Sequence, residues 1–445
     1  MSDATGSAPV ALPSRAPFAL RARILTPLRA GGTSYLDDGL LEVDAAGRIV
    51  GVSAWPVDRA DAIDVRPLLL MPGLVDLHAH LPQLPNAGLG AGLDLLTWLE
   101  RYIFPLERDF DEPAAERLAP VAYRVFAAAG TTTVVLYGAV YERSLDICFR
   151  AAEEHGIRAV IGKVMMDRLR YDPSVNDRDV LELSLRQTSD LIDRWHGHDA
   201  GRLRYAVTPR FAVSCSAEML RQSAALARDK GTYWQTHLSE DRNEVEEVRR
   251  LFPDALDYAD VYDRAGGLGP QAIMAHAIHL SDREVRQLAQ SETRIAHCPS
   301  SNLFLASGAM NLSQHLEAGL VVGLGSDIAG GPDVSIFAVM RAGAYTQSGL
   351  RTMLGEARPP LSPLDWLRMA TLEGARALGQ DETIGSLEAG KEADFICIDP
   401  RLAAPIVDGD SDDPAEIMSR LIFRGRSEMV LGAWVRGRRL ATAHE

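Results

Sequence analysis

Met71-Pro72-Gly73-Leu74-Val75-Asp76-Leu77-His78-Ala79-His80 is an apolar, strand-like run that ends in two histidines one residue apart. Side chains of a β-strand alternate between faces, so His78 and His80 project to the same side. Two imidazoles on one face, a few ångströms apart, make half of a divalent-metal site. The other ligands must come from elsewhere in the chain. Three candidates stand at the ends of other strand-like runs: His237, His276 and Asp327. This constellation points to a metal-dependent hydrolase.

Outward from that run, β-rich segments alternate with amphipathic ones. Strands are expected over 70–79, 131–137, 159–165, 204–208, 233–237, 272–276, 294–297 and 321–325. Helical spacing covers 112–129, 181–195, 217–230, 241–251 and 281–289 between them. Eight strands alternating with helices predict an α/β fold, a (β/α)8 TIM-like barrel. A doubly wound open sheet shares that alternation. The chemical residues, however, fall at the ends of strands one, four, five, six and eight, the face on which a barrel builds its active site. Both flanks carry short strand patterns with Gly turns, and they are expected to pair into one small β-sandwich. The expected organisation is a mobile segment over 1–17, an N-terminal sandwich segment over 18–70, the hydrolase barrel over 71–380 and a C-terminal sandwich segment over 381–445.

The charge balance narrows the partners. Lys and Arg number 46 against 61 Asp and Glu, a net charge of −15 over 445 residues. Such a field does not favour nucleic acid or an anionic membrane surface, which leaves a small-molecule substrate. Cys148, Cys215, Cys298 and Cys397 are scattered without paired spacing, as in a reduced, cytoplasmic protein. Neither a signal peptide nor an apolar run of membrane-spanning length is apparent.

His237 ends the run Tyr233-Trp234-Gln235-Thr236-His237, and Glu240 follows three residues later. A metal ligand beside a carboxylate suits hydrolysis: the metal lowers the pKa of its bound water to about 7, and the carboxylate carries the proton to the leaving group. The alternative is a buried structural His and a Glu favoured in the first turn of a helix. Asp327 reads as a ligand that also holds a proton, or as an N-cap; His276 reads as a group orienting water or substrate, or as a satisfied core histidine. His297 could support the ligands through hydrogen bonds. His279 falls off the alternating face, and His155, His196, His198, His315 and His444 lie in polar or helical surroundings without a chemical role. Strand four ends Thr208-Pro209-Arg210-Phe211 without the lysine that would bridge two metals once carbamylated, so one metal is expected. No Pro-Cys-x-x-Cys follows a His-x-Glu, which excludes the cytidine-deaminase type of zinc site.

The segments His78-Ala-His80-Leu-Pro-Gln83, Thr208-Pro-Arg210-Phe211, Thr236-His237-Leu-Ser-Glu240-Asp-Arg-Asn-Glu-Val, Met274-Ala-His276, His297-Cys-Pro-Ser-Ser-Asn302 and Gly323-Leu-Gly-Ser-Asp327 carry a resemblance. The chain resembles the amidohydrolase superfamily and, within it, is similar to the guanine deaminases, from about Met71 to Lys391. The resemblance implies one Zn2+ per chain held by His78, His80, His237 and Asp327, and conversion of guanine to xanthine and ammonia. It makes Glu240 the proton shuttle, has His276 orient the attacking oxygen and has Asp327 help deprotonate the water. It places Gln83 and Arg210 on the polar edge of the purine and Phe211 against its ring, with His80, His237, Glu240 and Asp327 also lining the substrate site. It further implies a homodimer.

Other outcomes remain open at this level. Iron suits three His and one Asp as zinc does. The substrate could be 8-oxoguanine, a pterin or a triazine, and a catalytically inactive scaffold barrel is a reading of another class. The Leu-rich run Leu93–Leu106, with Trp98 and Phe104, reads as a lid over the site or as a core or dimer-contact helix.

Overall fold

The computed structural model of the protein describes residues 11–56, 59–168, 179–355, 359–404 and 411–443. The N-terminal flank forms β1 (Phe18–Pro27), β2 (Thr33–Val43), β3 (Ile49–Ala54) and β4 (Ile63–Pro72). The barrel strands follow: β5 (Leu74–His80), β6 (Thr131–Tyr137), β7 (Arg158–Gly162), the two-residue β8 (Val164–Met165), β9 (Leu203–Pro209), β10 (Tyr233–Leu238), β11 (Ala272–His276), β12 (Arg294–His297) and β13 (Val322–Leu324). The C-terminal flank adds β14 (Phe395–Ile398), β15 (Val430–Val435) and β16 (Arg438–Arg439).

The barrel runs β5-β6-β7-β9-β10-β11-β12-β13 with parallel neighbours, and β8 pairs with β9. Its strands are buried along nearly their whole length, as expected where helices cover one face and the lumen is packed. Val75, Leu77, Val135, Val160, Ala206, Ile273, Ala275 and Ala296 form the lumen cluster. The helices lie within a residue of their expected bounds, Glu112–Ala128, Val180–Trp195, Ala217–Lys230, Arg242–Leu251 and Asp282–Gln290. Their starts have local causes: the Ser216 side chain accepts from Met219 N, and Asp241 and Ser281 each form a capping box with the Glu three residues on.

The deciding run is two strands rather than one. β4 ends at Pro72 in the small sheet and β5 begins at Leu74 in the barrel, with Gly73 between. A Cβ on Gly73 would lie 2.0 Å from Thr132 Oγ1, so only glycine permits this crossing. Between β13 and β5 the barrel is closed by polar clips. Asp76 Oδ1 accepts from Ser326 N (2.9 Å) and Oδ2 from Ser326 Oγ (2.5 Å), while Asp327 N donates to His78 O (2.7 Å) and His80 N to Ile328 O (2.9 Å).

The two flanks pair into a single seven-stranded sheet, β16-β15-β14-β4-β1-β2-β3. Alternation sends Leu69, Met71, Ile396 and Ile398 into the main core, and Leu68, Leu70, Phe395 and Cys397 into the sheet's own core with Leu20, Ile24, Leu41 and Trp434. Residues 1–10 of the segment expected to be mobile lie outside the described residues. Its remainder is tied down: Trp434 Nε1 donates to Pro13 O (2.9 Å), Arg439 N to Ser14 O (2.9 Å) and Ala16 N to Gly437 O (2.9 Å).

Sheet and barrel are joined by buried charge. Arg158, at the start of β7, donates from Nε to Asp394 Oδ2 (3.0 Å) and from Nη2 to Glu392 Oε2 (2.5 Å), and Arg436 Nε reaches the same Glu392 oxygen (2.8 Å). Truncating one partner of such a cluster strands buried charge at a cost of about 3–5 kcal/mol. Arg158→Ala should therefore lower the unfolding free energy in urea by that amount; a loss under about 1 kcal/mol would show the cluster to be dispensable. No helix among the described residues is long and apolar enough to cross a membrane.

Candidate active site

The expected site residues converge at the C-terminal mouth of the barrel. His78 and His80 end β5, His237 comes from β10, His276 ends β11, and Asp327 follows β13. His80 Nε2 and His237 Nε2 face each other at 3.2 Å. Asp327 Oδ1 lies 3.1 Å from His78 Nε2 and 3.3 Å from His80 Nε2, and its Oδ2 lies 3.8 Å from His276 Nε2. Ligand atoms of His78, His80 and His237 fall within 4.8 Å of one another, as do those of His78, His276 and Asp327.

The face that the histidines occupy is set by a register slip. Val75 and Leu77 pack in the lumen, whereas Ala79 packs in the outer core, and pairing with β6 shifts between Asp76 and Ala79. A bulge of this kind exchanges the two faces of a strand, turning His78 and His80 inward at the mouth. Four residues here hold left-handed backbone: Ser239 (φ 49°), His276 (φ 72°), Ala277 (φ 52°) and Asp327 (φ 48°). Such conformations cost about 1–3 kcal/mol each and persist where the surrounding structure imposes them.

Protonation favours a cation in the centre. His237 Nδ1 contacts the Arg210 carbonyl at 2.6 Å, so Nδ1 carries the proton and Nε2 presents a lone pair to His80. His276 Nδ1 is likewise engaged by Asn302 Oδ1 at 2.9 Å. Burial pushes the imidazolium form of His80 down to about 3, and burial followed by the neighbouring His78, His80 and His276 holds His237 well below the usual range. Although burial opposes it, the facing imidazoles, His78 first and then His80 and His276, hold the Asp327 carboxyl well below the usual range. His78 Nε2 and His276 Nε2 have no hydrogen-bond partner. Neutral imidazole lone pairs and one carboxylate converging without protons between them fit a divalent ion of borderline softness.

Glu240 and the substrate wall complete the mouth. Glu240 Oε2 lies 3.3 Å from His276 Nε2, and Oε1 accepts from Ser307 Oγ (3.3 Å). Burial, then the charges of Asp327, Glu244 and Asp241, push the Glu240 carboxyl well above the usual range. Its loop is held from behind: Glu244 Oε2 accepts from Glu240 N (2.8 Å) and Asp241 N (3.1 Å), and Tyr262 Oη donates to His237 O (2.7 Å). His80, Gln83, Arg210, Phe211, His237, Glu240 and Asp327 line one cavity, and Leu95, Trp98, Leu99 and Leu305 give it an apolar wall. Leu95, Trp98 and Leu99 come from the Leu-rich run, which thus lies over the site.

Several contributors were not foreseen. Glu107, one residue beyond the Leu-rich run, is fully buried; its Oε1 accepts from Gln83 Nε2 (2.8 Å) and its Oε2 pairs with Arg210 Nη1. Tyr137, ending β6, packs against His78, His80 and His237 with ring centroids 4.6–4.9 Å away. Lys163 is buried at the end of β7, yet its Nζ bonds Ser184 Oγ (3.1 Å) on the outer helix Val180–Trp195. Neither ring nitrogen of the buried His297 has a partner, and His279 bonds Ser307 O (2.8 Å) outside the cluster. His155, His198 and His315 bond Ala441 O, Glu153 and Ala277 O, while His444 lies outside the described residues.

Residues 69–440 match the model of the amidohydrolase family. The chain belongs to that family. This amidohydrolase is 37% identical to a probable guanine deaminase of Deinococcus radiodurans, over 90% of this chain and 92% of the relative. It is 34% identical to the guanine deaminase of Escherichia coli, over 92% of each chain. Among solved structures, guanine deaminase from C. acetobutylicum with bound guanine in the active site superposes with a TM-score of 0.88 at 29% identity, over 95% of this amidohydrolase and 99% of that chain. The histidine-rich centre suits the metal dependence of the family.

Proposed function

We propose that this amidohydrolase converts guanine and water to xanthine and ammonia, with one zinc ion per chain. One observation carries the reading: a histidine and carboxylate centre opens into the same small cavity as Gln83, Arg210, Phe211 and Glu240. The cavity combines an apolar wall of Leu95, Trp98, Leu99 and Leu305 with a few convergent polar groups, the lining that a flat heterocyclic base requires. The guanine deaminase relatives support the same substrate.

His78, His80, His237 and Asp327 would hold the zinc, which when bound supplies Lewis acidity and a water that ionises near pH 7. The chain's own groups do the rest. Arg210 donates to the acceptor edge of the base, Gln83 pairs with the adjoining polar positions and Phe211 lies against the ring, as the planar donors and apolar face of a purine require. Asp327, with one oxygen toward His78 and His80 and the other toward His276, receives the proton of the attacking water. His276, its Nδ1 engaged by Asn302, turns Nε2 toward the attacking oxygen. Glu240 is buried beside Asp327, so it enters the reaction protonated and delivers that proton to N3 as the oxygen adds to C2. The resulting carboxylate then takes a proton from the added oxygen and passes it to the amino group, which leaves as ammonia when the C2–N2 bond breaks. The proton received by Asp327 then returns to Glu240, restoring both groups.

We place the enzyme in the cytoplasm as a homodimer. Four free, buried cysteines support a reducing compartment. Exposed Tyr345 and Phe423, with ring centroids 5.4 Å apart, support an apolar partner face.

Ammonia release from guanine, 8-oxoguanine, adenine, cytosine and a pterin tests the substrate. Guanine should lead by at least about 100-fold in kcat/KM. Preference for 8-oxoguanine or a pterin would overturn the substrate and keep the hydrolytic machinery. Inactivity on the whole panel with one metal bound would support the scaffold.

A further inference from the structure

Gln83 and Arg210 face the cavity, but what each can present there depends on the carboxylate behind them. Glu107 comes from the short helix Phe104–Arg108 and is fully buried, as are Gln83 and Arg210 at 1% and 2% exposure. One of its oxygens takes a Gln83 Nε2 hydrogen at 2.8 Å and the other takes Arg210 Nη1. A primary amide is nearly isosteric with its own flipped form, so shape alone does not choose between them. Glu107 does choose. Flipping Gln83 would set its carbonyl oxygen against a carboxylate oxygen, two buried acceptors with no proton between them, at a cost of about 1–3 kcal/mol. Ala329 N, 3.4 Å from Gln83 Oε1, favours the same orientation. The carboxylate also neutralises the desolvated guanidinium and orients its fork, which stacks 5.5 Å from the Phe104 ring centre.

We infer that Glu107 is a specificity-determining positioning residue. It fixes the donor and acceptor polarity of the Gln83–Arg210 wall, so that the site takes a 6-oxo purine and rejects a 6-amino purine. The inference rests on the guanine reading above. A 6-oxo purine offers an acceptor at position 6 and a donor at N1. A 6-amino purine offers a donor at position 6 and an acceptor at N1. The locked amide and the guanidinium, which only donates, match the first pattern and leave buried groups unpaired with the second.

The discriminating probe is 2,6-diaminopurine, which keeps the amino group at C2 and inverts the pattern at positions 6 and 1. The wild-type enzyme should prefer guanine over 2,6-diaminopurine by about 1000-fold or more in kcat/KM. In Glu107→Gln the residue behind Gln83 can itself flip. The preference should then fall at least about 10-fold, chiefly through a higher guanine KM, with metal content unchanged. Glu107→Asp keeps the charge with a shorter reach and should weaken guanine binding while retaining most of the preference. An unchanged preference in Glu107→Gln, or equal losses on both bases, overturns the assignment. If that variant does not fold, an unchanged guanine KM in Glu107→Asp overturns it. Wild-type turnover of guanine keeps the substrate reading whatever the ratio does. A wild-type enzyme inert on guanine but active on another base removes both.

Discussion

Glu240→Gln should reduce kcat on guanine by about 10^2–10^4-fold while leaving the bound metal and the guanine KM near their wild-type values. The substitution is close to isosteric. The amide can still accept from Ser307 Oγ, and the loop stays anchored because its backbone bonds run to Glu244 rather than to the Glu240 side chain. What disappears is a carboxyl that burial and the neighbouring Asp327 keep protonated and that can release and recover a proton. A cation bound beside Asp327 offsets that neighbour's charge, and burial persists together with the charges of Glu244 and Asp241. Glu240 stands outside the clusters of potential ligand atoms at the centre, so metal content separates its role from theirs. Steady-state kinetics with parallel elemental analysis make the measurement. A variant with near-normal kcat would remove Glu240 from the proton path.

His237→Ala should empty the centre. Residues that only orient the ligands of a metal site are worth about 10–100-fold in affinity, and a direct ligand should exceed that. His237 has two attachments to lose: its Nε2 faces His80 at 3.2 Å, and its Nδ1 proton satisfies the Arg210 carbonyl at 2.6 Å. The variant should retain well under one metal per chain after dialysis and lose turnover. It should also lose the rise in thermal midpoint that added zinc gives the wild type, because a ligand stabilises only the state that binds it. His279→Ala is the control, since that ring bonds Ser307 O outside the cluster and should leave metal content intact. Full retention of one metal by His237→Ala would discredit the ligand set.

The contrast between Glu240 and Glu107 shows how much of the site was legible. Glu240 stands three residues past a strand-end histidine, a local spacing that hydrolytic chemistry explains, so it could be singled out from the chain alone. Glu107 ends the Phe104–Arg108 turn beside a Leu-rich run, where a carboxylate ordinarily reads as a solvated helix residue. Only the packing of that turn against Gln83 and Arg210, 24 positions before it and 103 after it, buries it and gives it two partners. Asn302 was similarly opaque, because its bond to His276 runs from the helix Pro299–Phe304 to the end of β11.

Period-two and period-3.6 patterning determined the alternation of strands and helices, and the spacing of capping residues determined where Ala217–Lys230 and Asp282–Gln290 begin. These are local preferences, carried by neighbours within one or two turns. The His-x-His spacing likewise determined that His78 and His80 share a face. Which face that is belonged to the tertiary structure: a register slip against β6 turns the pair into the mouth. So did the meeting of His78 with Asp327, the imidazole tautomers set by Arg210 O and Asn302, and the left-handed turns at Ser239, His276 and Asp327. Each depends on groups distant in sequence or on backbone strain that only a closed barrel can impose, and no local pattern carries that information.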